Sequence, residues 1–141
     1  MFALHEKLAA DTVEVVRLDV CRVLLMNDAT YPWLVLVPER EGLRDLHDLA
    51  PADHAPLMAE ISLASKTLQA IHAPDKINVA ALGNVVPQLH VHVIARFTTD
   101  AAWPRPVWGV APVQPYGAAA LDHALRRLRS AFARPPGSPT S

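Results

Sequence analysis

The stretch that decides the fold reads Pro87-Gln88-Leu89-His90-Val91-His92-Val93-Ile94-Ala95-Arg96. Polar and apolar residues alternate in it, which is typical of a β-strand, because successive side chains of a strand point to opposite faces. The apolar face would carry Leu89, Val91 and Val93, and the polar face Gln88, His90 and His92. A half-buried strand with histidine on its polar face is the plain structural interpretation. The functional interpretations are nucleophilic or acid–base catalysis and metal ligation.

The composition is that of an ordinary globular protein. The chain has 141 residues, of which 51% are hydrophobic and 19% charged, and its formal net charge is −1. This length predicts one domain with a sizeable core, and the balanced charge argues against a nucleic-acid partner. The single Cys21 excludes an intrachain disulfide and fits a reducing compartment. No apolar stretch is long enough to cross a membrane, so we expect a cytoplasmic protein with no membrane partner.

Hydrophobic patterning predicts an α+β domain over residues 1–133. The expected elements, in chain order, are strands at residues 12–18, 21–26 and 33–37, a helix of about 20 residues from Pro51, strands at 76–82 and 88–95, and a helix at 118–133. The first three strands should form an antiparallel meander. The last two should form a hairpin, since only residues 83–87 separate them. Residues 134–141 are rich in Pro, Ser and Gly, and we expect them to be disordered.

Around the two histidines the chain resembles the histidine triad (HIT) superfamily of nucleotide hydrolases and transferases, in its bacterial type. The family's signature is His-φ-His-φ-His-φ-φ, where φ is apolar, and this chain has Gln88-Leu89-His90-Val91-His92-Val93-Ile94. Two of the three histidines and all four apolar positions match. The order of the expected elements over residues 10–110 also agrees. The resemblance implies an antiparallel sheet of about five strands with helices against one face, usually assembled as a homodimer.

The resemblance also implies a mechanism. The family's middle histidine, matched by His90, attacks the α-phosphate of a nucleotide and forms a covalent nucleotidyl-histidine, which water then hydrolyses. The third histidine, matched by His92, contacts the phosphate or the atom that bridges to the leaving group. Imidazole suits this chemistry because its neutral nitrogen is nucleophilic near neutral pH and leaves readily in the second step. No metal or cofactor is required, since N–H donors can balance the phosphate charge.

Three features depart from the family pattern. Gln88 replaces the first histidine, although it still supplies the backbone carbonyl that orients the nucleophile in the family. Trp33 stands where many members have a histidine close to that first one, so we hypothesise that Trp33 and Gln88 pack together. The turn before the motif lacks the family's glycine-rich stretch. Asn84 and the backbone N–H groups near Gly83 are then the available phosphate contacts.

The nucleoside would be held by residues from the second and third strands. Asn27 and Asp28 follow a buried strand where the family holds the ribose hydroxyls, and an amide or carboxylate oxygen can accept hydrogen bonds from a vicinal diol. Simple turn formation is the alternative for both residues. Leu25 and Trp33 are apolar neighbours that would sandwich the base. Arg96 would either contact phosphate or form a surface salt bridge.

The sequence therefore favours a HIT-type hydrolase or transferase of the phosphoramidate or dinucleoside polyphosphate class, with a small nucleotide as its partner. A non-catalytic nucleotide-binding or interaction module is an alternative, because the triad is incomplete. A metal enzyme that uses His90, His92 and a third ligand such as His47 is the other alternative. The base and the leaving group stay open at this level.

Overall fold

In the computed structural model, which describes residues 1–134, a five-stranded antiparallel sheet is combined with three α-helices. The elements are α1 (Glu6–Asp11), β1 (Thr12–Arg17), β2 (Cys21–Met26), β3 (Trp33–Pro38), a 3₁₀ turn (Leu46–Asp48), α2 (Pro51–His72), β4 (Lys76–Ala80), β5 (Val91–Arg96) and α3 (Ala118–Ala133). The strand order is β1-β2-β3-β5-β4. The predicted α+β class, antiparallel sheet, long helix and C-terminal helix are confirmed. The expected disordered tail lies, apart from its first residue, outside the described residues.

The centre of the sheet is buried on both faces. All of β3 is buried, at the centre of the sheet. On one face, Leu34 packs in a core that includes Leu68 of α2. On the other face, Val35 packs with Leu8 of α1 and with Val107 of the loop that follows β5. A strand covered on both sides has no polar face, which explains why β3 reads as a continuous apolar run.

The long helix α2 packs on one face of the sheet and holds the turn between β1 and β2. Pro51 is its first residue, where the missing N–H leaves no helical hydrogen bond unmade. Leu68 faces the core, and so does Glu60, whose carboxylate accepts hydrogen bonds from the backbone N–H groups of Val20 and Cys21 at 2.9 and 2.7 Å. A buried carboxylate is thereby compensated by two donors, which fixes the helix against the sheet. Within the described part of the chain, no helix has the length and apolar character needed to cross a membrane.

The connection between β4 and β5 differs from the prediction. β4 ends at Ala80 and β5 begins at Val91, so residues 81–90 join the two strands in place of a short turn. The two strands are still antiparallel neighbours. The ladder does not extend to Leu89 because its N–H donates to the carbonyl of Leu43, at 3.0 Å. The alternation of faces persists, with Leu89 and Val91 in the helix-side core and the two histidines on the other side, where they are also buried.

Arg96, the last residue of β5, holds the following loop to the sheet. Its side chain is 1% exposed. The guanidinium donates to the Asp100 carboxylate at 2.8 and 3.1 Å, to Oδ1 of Asn78 at 2.8 Å and to the carbonyl of Arg105 at 2.7 Å. The sequence suggested a phosphate contact or a surface salt bridge for Arg96, and neither is correct. Arg96 forms a buried ion pair, and its other hydrogen bonds also go to groups of the protein.

The Asp100 carboxylate should make the fold sensitive to acid. Its burial acts to raise the pKa of Asp100, but hydrogen bonds from Arg96 and from the backbone N–H groups of Phe97, Ala102 and Trp103 lower it to about 2. Its stabilising contribution is therefore complete above the unfolded pKa of about 3.9 and is lost as the pH falls toward the folded value, with a total of about 2 kcal/mol. Urea unfolding from roughly pH 5 to pH 2 should show a loss of this size for the wild type relative to Asp100→Asn. Equal losses in the two proteins would contradict the prediction.

Candidate active site

His90 and His92 lie together on the face of the sheet opposite α2 and α3. His92 stands in β5 between Val35 of β3 and Ala80 of β4, and His90 directly precedes the strand. Their ring centroids are 4.9 Å apart, with an angle of 72° between the ring planes. The two residues are only 7% and 4% exposed. The backbone of β5 and of the residue before it thus fixes two neighbouring imidazoles that are almost fully buried.

One hydrogen bond determines the tautomer of His90. Its Nδ1 lies 2.7 Å from the carbonyl oxygen of Gln88. Because a carbonyl can only accept, Nδ1 must carry the proton, and Nε2 is left with a free lone pair. The contact that we expected between the nucleophile position and the backbone of residue 88 is present.

A second hydrogen bond determines the opposite tautomer for His92. The indole Nε1 of Trp33 lies 3.0 Å from Nδ1 of His92. Because an indole N–H can only donate, Nδ1 of His92 must be the acceptor, and in the neutral ring Nε2 carries the proton. The neighbouring imidazoles therefore present different groups, a lone pair on His90 and an N–H donor on His92.

The environment of His92 also disfavours its charged form. Burial is the larger cause and repulsion by His90 the smaller, and together they lower the pKa of His92 to about 4. The hydrogen bond from Trp33 acts in the same direction, because a protonated Nδ1 would face another donor. His92 is therefore an uncharged N–H donor near neutral pH.

The polar groups of Trp33 and Gln88, which we hypothesised to pack together, have different hydrogen-bond partners. Gln88 accepts a hydrogen bond from the backbone N–H of His5 at 2.8 Å and donates one to the carbonyl of Ala3 at 2.8 Å. It therefore fixes the N-terminal segment that leads into α1. Trp33 instead contacts His92. Gln88 thus anchors the N-terminal segment through its side chain, while its backbone carbonyl faces His90.

A cleft of about 390 Å³ opens in front of the two histidines. Asn84 and Trp33 line it, together with Lys7 and Asp11 from α1. Trp108, from the loop after β5, covers the ring of His92 at a centroid distance of 5.0 Å and also contacts Trp33 at 5.8 Å. The lining is mainly apolar, with a few polar groups, as is usual for small-molecule sites.

Asn27 and Asp28 line an adjoining cavity of about 300 Å³, which shares Trp33 with the cleft. Their side chains also hold the chain before α3. Oδ1 of Asn27 accepts from the N–H of Tyr116 at 2.9 Å, and Oδ1 of Asp28 accepts from the N–H of Gln114 at 3.2 Å. A turn-forming role is therefore present for both residues, and they border the space next to the histidines.

The assignment of Leu25 to the site is wrong. Leu25 lies in the helix-side core, on the face of the sheet away from the histidines. Met26, the next residue along β2, lines the cleft in its place. Adjacent side chains of a strand point to opposite faces, so the period of two along β2 could have identified Met26. Lys7 and Asp11 were also missed, and their only sequence signal is an i,i+4 pair of opposite charges, which lie 2.9 Å apart.

Among residues 1–134, no third metal-ligating side chain lies beside the two histidines. Over residues 1–134, the one group of three His, Cys, Asp or Glu side chains close enough to share an ion consists of Asp45, His47 and Asp48. All three are exposed, and the group includes neither His90 nor His92. His47 is therefore not the ligand that a His90–His92 metal centre would require.

The chain belongs to the HIT family, because the family model for the HIT domain matches residues 7–99. Solved structures agree. A histidine triad protein from Bradyrhizobium japonicum is 48% identical, with a TM-score of 0.89 and with 92% of this chain and 96% of that chain covered. Another from Marinobacter aquaeolei VT8 is 44% identical, with a TM-score of 0.92 and with coverage of 95% and 98%.

A third histidine triad protein, from Sinorhizobium meliloti 1021, is 40% identical, with a TM-score of 0.89 and with coverage of 92% and 96%. A comparison of the sequence with curated proteins gave no match. Family membership and fold are thus established, and the chemistry has to be argued from the site.

We expect His92 to stay neutral at pH values where an ordinary histidine is charged. The fold holds the pKa of His92 at about 4, whereas an unperturbed histidine titrates near about 6.5. Long-range ¹H–¹⁵N spectra recorded from roughly pH 7.5 to 5 should show the Nε2–H tautomer of His92 throughout. A histidine dipeptide in the same tube gives the reference titration, and His92→Asn assigns the signal. Protonation of His92 near pH 6, or a proton on Nδ1, would contradict the assignment.

Proposed function

We propose that the protein is a nucleotidyl hydrolase or transferase that attacks the α-phosphate of a nucleoside 5′-phosphate derivative, with His90 as the covalent nucleophile. The observation that supports this most directly is the contact of 2.7 Å between Nδ1 of His90 and the carbonyl of Gln88. It leaves the lone pair of Nε2 available on a side chain that lines the cleft. An oriented neutral imidazole is the group that nucleophilic catalysis at phosphorus requires.

The reaction would take place in two steps. The Nε2 lone pair of His90 forms a bond to the α-phosphorus, and the bond from phosphorus to the leaving group breaks, with its electron pair departing on the leaving group. Water then attacks the same phosphorus, and nucleoside monophosphate is released as the N–P bond breaks. The Nε2–H of His92 would donate to a phosphate oxygen in both steps, and the amide of Asn84 is a further donor on the cleft wall.

The nucleoside would extend from the histidines into the adjoining cavity. Asn27 or Asp28 would accept hydrogen bonds from the ribose hydroxyls, each through an oxygen lone pair that the loop before α3 does not use. Trp33 is shared by the two cavities and offers a flat apolar contact for the base. Met26 replaces Leu25 as the second apolar contact, since it lines both cavities.

The covalent step can be tested by mass spectrometry of the intact protein, quenched within moments of mixing with adenosine phosphoramidate or, separately, with diadenosine tetraphosphate. We expect a transient adduct of one AMP with at least one of them. His90→Ala should abolish the adduct and lower turnover by at least about 10³-fold.

His47→Ala is the matched control, because His47 is exposed and belongs to a different side-chain cluster. It should leave adduct formation and turnover unchanged. AMP that is retained in a native spectrum without any adduct, in the wild type and His90→Ala alike, would instead favour the non-catalytic binding module. Activity that is lost on chelation, in parallel with the loss of bound metal, would favour the metal enzyme.

We also propose that the protein is a homodimer, formed along β4. This strand ends the sheet, so its outer N–H and C=O groups have no strand partner. Val79 is 48% exposed on it, and Leu82 just beyond it is 47% exposed. Sedimentation equilibrium should show a dimer that Val79→Lys dissociates, because a charge would be buried at the contact. Met58→Lys, a matched change on the exposed side of α2, should leave the dimer intact, and a monomeric wild type would contradict the proposal.

A further inference from the structure

We propose that Trp33 is a positioning residue that keeps His92 as a neutral N–H donor, so that the leaving group receives no proton from the protein and must depart as an anion. This inference rests on the proposed function, because it concerns the leaving group of the reaction at His90. It makes Trp33 a determinant of substrate specificity, acting through His92. The selection would be by the acidity of the leaving group.

The first step of the argument is the geometry around His92. The indole N–H of Trp33 donates to Nδ1 at 3.0 Å, and the indole and imidazole ring centroids are 5.7 Å apart. Trp33 is itself only 7% exposed, and it also packs against Tyr31. The donor is therefore held in place, and a proton on Nδ1 of His92 would leave the indole N–H of Trp33 without its acceptor. His92 can stabilise phosphate charge through Nε2–H, but it cannot alternate between imidazole and imidazolium as a general acid does.

The second step is a survey of the other titratable and charged groups around His92. His90, on the same strand segment, uses its Nε2 lone pair for attack and its Nδ1–H for the carbonyl of Gln88. From α1, Lys7 and Asp11 line the cleft and pair with each other at 2.9 Å. An alkylammonium is a poor proton donor near neutral pH. Trp33 and Trp108, the aromatic neighbours from β3 and from the loop after β5, carry no titrating group.

A second cavity, which His90 also lines, is bordered by Arg44, Asp45 and His47 from the segment before α2. His47 is the one further imidazole there, and its side chain is 83% exposed and lies 3.7 Å from the carboxylate of Asp48. His47 is thus solvated, and it does not line the cleft that His92 lines. The position that holds the first histidine of the triad is occupied by Gln88, whose amide binds the N-terminal segment. The described residues thus place no general acid beside the leaving group.

The chemical consequence concerns the bond that breaks. When Nε2 of His90 bonds to phosphorus, the electron pair of the old bond leaves on the departing atom, with no proton from the site. The oxygen of a departing phosphate, or of an acidic phenol, holds that pair as a stable anion. An amine cannot leave as an amide anion and has to take a proton from water first. The cleft should therefore favour nucleotides joined to acidic leaving groups over phosphoramidates of basic amines.

The test compares two aryl esters of AMP, the 4-nitrophenyl ester and the unsubstituted phenyl ester, which give the same AMP–His90 adduct and differ only in the acidity of the leaving phenol. The wild type should form the adduct at least about 100-fold faster from the nitrophenyl ester, because no acid assists the poorer leaving group. In Trp33→Phe, Nδ1 of His92 no longer faces a donor, while burial and His90 still disfavour the charged ring. We expect the ratio of the two esters to shrink at acidic pH, with a new acid-dependent limb in the pH profile of the phenyl ester.

Trp108→Phe is the matched control, because Trp108 also packs on the His92 ring and makes no hydrogen bond to it. It should keep the ratio of the two esters and the Nε2–H tautomer in ¹⁵N spectra, whatever it does to the absolute rate. A wild-type ratio near one, or a Trp33→Phe variant whose His92 keeps both its tautomer and its pKa, would overturn the inference. The ¹⁵N spectra need no turnover, so they test the positioning of His92 by Trp33 independently of the proposed reaction at His90. Absence of an adduct with both esters, with the tautomer as expected, would overturn the proposed function and the leaving-group rule with it, while the positioning of His92 by Trp33 would stand.

Discussion

A strand that is buried on both faces must give every polar side chain on it a partner inside the protein. β5 is such a strand, and it carries His92 and Arg96, both almost fully buried. Arg96 is satisfied by a carboxylate, an amide and a carbonyl. His92 is satisfied by the indole of Trp33. Because an unpaired buried polar group costs about 1–3 kcal/mol, these partners are constraints of the fold, and the geometry of the site follows from them.

A main-chain carbonyl, that of Gln88, fixes the orientation of His90, and every residue type supplies such a carbonyl. The side chain at position 88 is therefore available for other contacts, and Gln88 uses both ends of its amide to hold the N-terminal segment. That segment leads into α1, and α1 forms one wall of the cleft. Gln88 thus orients His90 through its backbone and stabilises a wall of the cleft through its side chain.

Much of the fold could be predicted from the sequence because its signals are local. The termini of β2 and α3 agree with the pattern of apolar residues, and α2 begins at the proline that suits a first helical position. The start of β5 could not be predicted, since it depends on a hydrogen bond between Leu89 and the distant carbonyl of Leu43. The paired histidines were visible as an i, i+2 repeat. The partners of Trp33 and Gln88 were not, because each lies more than fifty residues from its partner along the chain.

The free energy needed to protonate His92 limits the roles that this residue can have in a reaction in the cleft. A pKa held at about 4, against an unperturbed value of about 6.5, corresponds to about 3 kcal/mol in favour of the neutral ring. A reaction that passed through a His92 imidazolium near neutral pH would add that free energy to its barrier, a factor of more than about 100 in rate. A neutral N–H donor that is already in place needs no such step and no reorganisation as charge develops on the phosphate. The burial that is unfavourable for an ionisable residue is therefore what keeps His92 a neutral hydrogen-bond donor, as the proposed reaction at a phosphate requires.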